Sequence, residues 1–228
     1  MKLVLFDIDG TLIKGASTER RFARFLWQQR RIGLRQGLHF LWFTIRYFPR
    51  FGIGVFRKNK AYLAGIEDEE VQELADEFVR ISLPHTFYEP ACARVRHHLQ
   101  CGDTVWLLSG TLQPIAESIA KFLRLERVLA SSCPVRNGVL VARPPEQHPY
   151  GRRKLELAQH ICGEAQLTME QVVAYGDSWA DRHLLREIGT PVAVLPDKKL
   201  AALAARLGWE VISDSPVSAA SRDPANAR

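Results

Sequence analysis

The amino-acid sequence predicts an α/β fold, a Rossmann-like parallel sheet with an all-helical insertion after its first strand, and three observations carry that expectation. Short apolar runs rich in β-formers alternate with helix-length stretches, the pattern of a parallel sheet covered on both faces. Three of the runs end in an acidic or hydroxyl-bearing turn, where open α/β sheets place their ligands. From about residue 17 to residue 83 the alternation stops, and only helical patterns remain.

The first run, residues 2–6, is ended by acids and reads as a buried strand. Helical patterns follow over residues 18–31, 36–48 and, less regularly, 53–64. Residues 68–82 form another, with Glu67, Asp68, Glu69 and Glu70 at its start, where carboxylates meet the positive end of the helix dipole. Further strands are expected at 104–108, 172–175, 191–195 and 210–212, with helices at 114–123, 153–162, 180–187 and 198–207, the last stopping at Gly208. Asn137-Gly138, between β-prone residues of the stretch 135–141, signals a hairpin. The resulting division is a catalytic core of residues 1–14 and 84–213, a helical cap of residues 15–83, and a disordered tail of residues 214–228, poor in periodicity and rich in Ser, Ala, Pro and Asp.

A chain of 228 residues, 46% apolar and 25% charged, has the composition of an ordinary globular protein able to bury a full core. The apolar run before Asp7 is too short for a secretory signal, and the four cysteines show neither metal-site nor disulfide spacing. Reduced thiols in the cytoplasm are the expectation. The formal charge of +6 is uneven: eleven Lys or Arg and no acid lie between Arg20 and Ile66, which leaves the remainder at −5.

Asp7-Ile8-Asp9-Gly10-Thr11 stands directly after the first strand. Cleaving a phosphate monoester takes a nucleophile, a proton donor for the leaving oxygen and positive charge for the phosphoryl oxygens. A carboxylate can be that nucleophile, and a turn at Gly10 can bring the second carboxylate beside the first. The bland reading of the pair is turn or capping aspartates. Gly176-Asp177-Ser178-Trp179-Ala180-Asp181 repeats the pattern of strand, glycine and acid, with Asp181 about one helical turn on. Asp7, Asp177 and a backbone carbonyl are hard oxygen donors that suit Mg²⁺, although Asp177 and Ser178 also read as a helix cap. Ser109-Gly110-Thr111 can cradle a phosphate, and Lys154, opening a helix, can supply a fixed cation; a solvated surface lysine is its competing reading.

In this order, D-x-D-G-T, S-G-T, a helix-opening Lys and G-D-x-x-x-D, the motifs resemble the haloacid dehalogenase-like superfamily over roughly residues 2–195. The helical insertion after the first motif and Gln113-Pro114 after the second resemble its phosphoserine-phosphatase-like branch, subfamily IB. The resemblance implies that Asp7 attacks phosphorus, while Asp9 protonates the leaving alcohol and then activates water. It implies that Ser109, Gly110 and Lys154 hold the phosphoryl group. Asp7, the Asp9 carbonyl and Asp177 are expected to bind Mg²⁺, with Thr11 and Asp181 in support. Asp9 also separates phosphate chemistry from dehalogenation, which needs no acid at that position.

The implied enzyme is a phosphoric monoester hydrolase acting on a small phosphorylated substrate, and the cap bears on which one. Its residues 20–66 hold eleven aromatics interleaved with the eleven bases. Leu38, Leu41, Trp42, Ile45 and Phe48 form one helical stripe, and Phe40, Phe43 and Tyr47 another. Such a helix should be buried on two sides or touch something other than water. Arg46, Pro49 and Arg50 stop it short of the about 18–20 apolar residues that span a bilayer. An aromatic cap core with a basic rim is one reading. Peripheral contact with the anionic inner face of a membrane, and a lipid phosphatase acting on a phosphatidylglycerophosphate-like substrate, is the alternative. Nucleic acid is not expected as a partner, since no recognised module is present. A phosphotransferase would keep the same residues. The stretch 15–18, where phosphoserine phosphatase carries an acid for the substrate amine, is uncharged until Glu19, so phosphoserine itself is not expected; histidinol phosphate stays open.

Overall fold

The computed structural model describes residues 2–214. Six parallel strands form the central sheet: β1 (Leu3–Phe6), β2 (Thr104–Leu112), β3 (Arg127–Ser131), β6 (Val172–Gly176), β7 (Thr190–Val194) and β8 (Glu210–Ile212), in the order β3-β2-β1-β6-β7-β8. The chain starts at the centre, builds outward through β2 and β3, then returns to the other side of β1 for β6 to β8. That reversal opens a crevice at the carboxyl ends of β1, β2 and β6. All four residues of β1 and all five of β6 are buried, because helices cover both faces and no side of these strands meets water.

The connecting helices are α5 (Glu89–Gln100), α6 (Gln113–Leu123), α7 (Arg152–Glu164), the short α8 (Arg182–Leu185) and α9 (Lys198–Leu207). α9 begins and ends as its sequence dictates: the Asp197 carboxylate accepts from the N–H groups of Lys199 and Leu200, and Gly208 closes it at φ +69°. β4 (Val135–Arg136) and β5 (Val139–Leu140) form the expected hairpin, with Asn137 and Gly138 at positive φ. Three departures from the expected elements have local causes. β3 and α5 are unmarked in the sequence: β3 opens with an exposed Arg127, and α5 is polar, ending in His97-His98-Leu99-Gln100. The helix expected over 180–187 is instead a 3-10 turn, Trp179–Asp181, followed by α8. The Asp181 carboxylate turns back to accept from the Ser178 N–H and hydroxyl, which tightens the turn.

Between β1 and β2 lie α1 (Thr18–Gln28), α2 (Leu34–Phe51), α3 (Val55–Lys58) and α4 (Asp68–Ser82). They divide into two layers. Phe22, Phe25 and Phe78 join α1 to α4, and this aromatic cluster belongs to the same apolar core as Phe6, Ile8 and Leu107 of the sheet region. α4 is also tied to α6, the Ser118 hydroxyl donating to Asp76 at 2.6 Å. α2 and α3 instead build a small core of their own, Phe43, Val55 and Ala61. Among the described residues no helix is long and apolar enough to cross a membrane, and the four cysteines are free. The tail expected to be disordered lies, from residue 215 on, outside the described residues.

Candidate active site

Asp7 leaves the end of β1 with its N–H bonded to the Tyr175 carbonyl of β6, so the first and fourth motifs are held side by side. Asp7 is 8% exposed, and its carboxylate accepts from the Lys154 ammonium at 2.8 Å. Lys154 also donates to Asp181 at 2.7 Å. At 4% exposure it is no surface lysine: α7 carries it inward from its first turn. Burial works against its charge, but Asp181 and Asp7 outweigh that and hold it above the usual lysine range.

Asp7, Asp177 and Asp181 each offer a carboxylate oxygen within 4.8 Å of the others. One ammonium among three carboxylates leaves an excess of negative charge in a place where water is scarce. Asp7 and Asp177 are shifted upward as a consequence. Burial first, then Asp7 and Asp181, push Asp177 up to about 8; burial first, then Asp181, against Lys154, pushes Asp7 up to about 6. A small divalent cation with hard oxygen preference is what this donor set fits.

Asp9 is turned toward the helical segment. Its carboxylate accepts from the Thr18 N–H at 2.7 Å, the Thr18 hydroxyl at 3.2 Å and the Thr111 hydroxyl at 2.9 Å. Thr18 is the first residue of α1, so the carboxylate sits at a helix N-terminus, where backbone N–H groups favour negative charge. Ser109 is buried beside it, its hydroxyl 3.1 Å from that of Thr111. The register between β2 and β3 shifts from Leu108 to Leu112, which breaks the regular ladder where Ser109, Gly110 and Thr111 must face the crevice. Thr11 is not brought into the crevice: it is fully buried, and its hydroxyl has no hydrogen-bond partner among the described residues.

A cleft of about 400 Å³ joins Asp7, Asp9, Ser109, Gly110, Lys154, Asp177 and Asp181. Its far wall holds residues that sequence reasoning did not single out for the site: Arg20, Phe56, Arg57 and Lys60 from the insertion, and His148 and Tyr150 from the loop before α7. Glu19 lines the cleft too, but its carboxylate is ion-paired with buried Lys60. The His148 ring is bonded to the Ser131 hydroxyl at 2.6 Å, which also bonds the Gly110 carbonyl at 2.7 Å. Burial, then Lys60, Lys58 and Arg57, lower His148 to about 3, so it stays neutral amid bases. The run of bases between Arg20 and Lys60 was the one sequence signal for this wall; nothing in the local pattern of residues 146–150 marks His148.

Known proteins resemble this chain in sequence and in fold. A phosphoserine phosphatase of Mycobacterium tuberculosis is 28% identical over 213 residues, 90% of this chain and 68% of that protein. A Streptomyces azureus protein named for inhibition of morphological differentiation is 25% identical over 212 residues, 91% of this chain and 76% of the relative. A Bordetella pertussis protein of unknown function superposes with a TM-score of 0.76 at 24% identity, over 92% of this chain and 97% of that one. A substrate-bound phosphoserine phosphatase does so at 0.62 and 21%, over 92% of both chains. Residues 4–186 match the haloacid dehalogenase-like hydrolase family, and the chain belongs to it, as the order of its four motifs along β1, β2, α7 and β6 leads one to expect.

Proposed function

We propose that this protein is a Mg²⁺-dependent phosphatase that cleaves a phosphomonoester through an aspartyl-phosphate on Asp7. The observation that carries the reading is the buried cluster in which Lys154 bridges Asp7 and Asp181 while Asp177 closes the metal-sized triangle, with Asp9 held beside it. Relatives named as phosphatases support it. Asp7, the Asp9 carbonyl and Asp177 would hold the ion, with Asp181 in support; when bound, it neutralises phosphoryl charge and keeps Asp7 ionised.

In the first half-reaction an Asp7 carboxylate oxygen bonds to phosphorus as the bond to the leaving oxygen breaks, and Asp9 gives that oxygen its proton. In the second, Asp9 takes a proton from water, the water oxygen attacks phosphorus, and the Asp7–phosphorus bond breaks to release phosphate. The Ser109 hydroxyl, the Gly110 N–H and Lys154 hold the phosphoryl oxygens. The Thr18 N–H and the Thr18 and Thr111 hydroxyls fix the orientation of the Asp9 carboxylate beside the cleft. The helical segment of residues 15–83 acts as a cap that closes the cleft.

The cap wall favours a substrate with an anionic group beyond the phosphate. Arg20 and Arg57 face the cleft, while Lys60 and Glu19 are paired with each other, so Glu19 is not free for an ammonium group. That distinguishes the substrate from phosphoserine, whatever the names of relatives. The reaction is tested by phosphate release from p-nitrophenyl phosphate with Mg²⁺. Asp7→Asn is expected to fold and to lose release by at least about three orders of magnitude, or about 4 kcal/mol of transition-state stabilisation. Undiminished turnover in that variant overturns the proposal.

A further inference from the structure

Helix α2 turns its two apolar stripes to opposite worlds. Phe43 is fully buried against Val55 and Ala61, the Tyr47 ring lies 4.6 Å from that of Phe43, and the Asn59 amide donates to the Phe40 carbonyl at 2.8 Å, which fixes the inner face. The outer stripe, Leu34, Leu38, Leu41, Trp42, Ile45 and Phe48, is 49–82% exposed at every position. These residues recur at helical spacing within a sector of about 120°, the width of a face that normally packs against a core. Ile53, 82% exposed, extends the apolar surface just past the helix. Arg35 and Arg46 flank one edge of the stripe, Arg50 lies farther round the helix, and all three are exposed. Arg46 and Arg50 lie over the Tyr47 and Phe51 rings at 5.9 and 5.2 Å, a posture that leaves their charges at the rim.

We propose that this face docks on the surface of a bilayer containing anionic lipid, α2 lying in the interface plane with its outer stripe among the upper acyl chains. Charge selects that occupant. A second copy packed symmetrically would bring a second set of these arginines to the same interface, and residues 20–66 hold no carboxylate to answer them. Anionic headgroups answer all of them at once, while the stripe supplies the apolar area that surface binding needs. Phe56 and Arg57, which follow from α2 in α3, also line the cleft, so docking would set the cleft mouth near the headgroups.

The readout is binding, so the proposal stands or falls apart from the reaction proposed above. The full chain is sedimented with phosphatidylcholine vesicles with and without about 30 mol % phosphatidylglycerol, at near-physiological salt. Binding to the anionic vesicles should exceed binding to the neutral ones by at least about tenfold, and the double variant Leu38→Gln with Ile45→Gln should lose about as much. Neither side chain lines the cleft, so that variant should keep its p-nitrophenyl phosphatase activity, which shows it folded. Failure to pellet with anionic vesicles overturns the proposal, as does equal binding by the variant. Concentration-dependent dimerisation in ultracentrifugation, abolished by the same pair of substitutions, would overturn it in favour of a second copy.

Discussion

Gly10 holds φ +84°, and a Cβ there would stand 2.1 Å from an Asp177 carboxylate oxygen. Gly176 is similarly filled, its Cβ position lying 2.9 Å from the Asp181 side chain. The glycines of the first and fourth motifs are therefore the space into which the acids of the fourth motif fold, and this is how three carboxylates come so close. Crowding has a thermodynamic signature. Asp177 and Asp7, pushed up to about 8 and about 6 chiefly by burial, bind protons in the metal-free native state that the unfolded chain has already released. Since their folded values lie above the unfolded one, the metal-free protein loses stability as pH rises from about 4 to about 8. Loading the site with Mg²⁺ at pH 7 should then expel close to one proton, and affinity should weaken by up to about tenfold for each pH unit from about 8 down to about 6. Calorimetry in two buffers of different ionisation enthalpy measures that proton; a heat independent of buffer would refute the coupling.

At the scale of elements, α1 joins the helical insertion to the end of β1. Ser17 caps it, Thr18 binds Asp9, and Phe22 and Phe25 anchor it to Phe78 of α4 with ring centroids 5.3 and 5.6 Å from that ring. Phe78→Ala should cost about 3–5 kcal/mol, because a fully buried ring is deleted from a cluster that cannot fully collapse. Urea unfolding should report a lower midpoint with little change in slope. The rate of phosphate release should fall as well, since the Thr18 N–H is no longer held against Asp9; full activity in the native fraction would separate the cluster from the site. α1, α4 and α9 were legible in the sequence because each shows apolar periodicity, with acids crowding the start of α4 and Gly208 stopping α9. Asp7, Asp9, Ser109, Lys154, Asp177 and Asp181 stood out as candidates in the sequence, and the structure brings them to one cleft. Glu19, Lys60 and His148 did not, because their meeting depends on how the insertion and the loop before α7 fold over the sheet, which no local pattern encodes. The two stripes of α2 were readable, but which one faces inward depends on Val55 and Ala61, residues from an irregular stretch.

At the scale of the whole molecule, charge is sorted: the segment from Arg20 to Ile66 carries eleven bases against a remainder of −5. That segment supplies part of the cleft wall, where Arg20 and Arg57 stand in the same cleft as Asp7. An anionic substrate approaching from solvent meets this field before it meets Asp7. Such steering acts on exposed charges across distances comparable with the Debye length, about 10 Å at 0.1 M salt, and is screened as salt rises. The chemistry beneath it is not screened in the same way, since Asp7, Lys154 and Asp181 are buried. Raising NaCl from about 20 to about 200 mM should therefore lower kcat/KM severalfold while leaving kcat nearly constant. Charge removal at Arg24, an exposed base of the same segment that does not line the cleft, should flatten the salt dependence without changing kcat. If kcat fell with salt in step with kcat/KM, the field would be acting on the reaction itself rather than on encounter, and the sorting of charge would need another account.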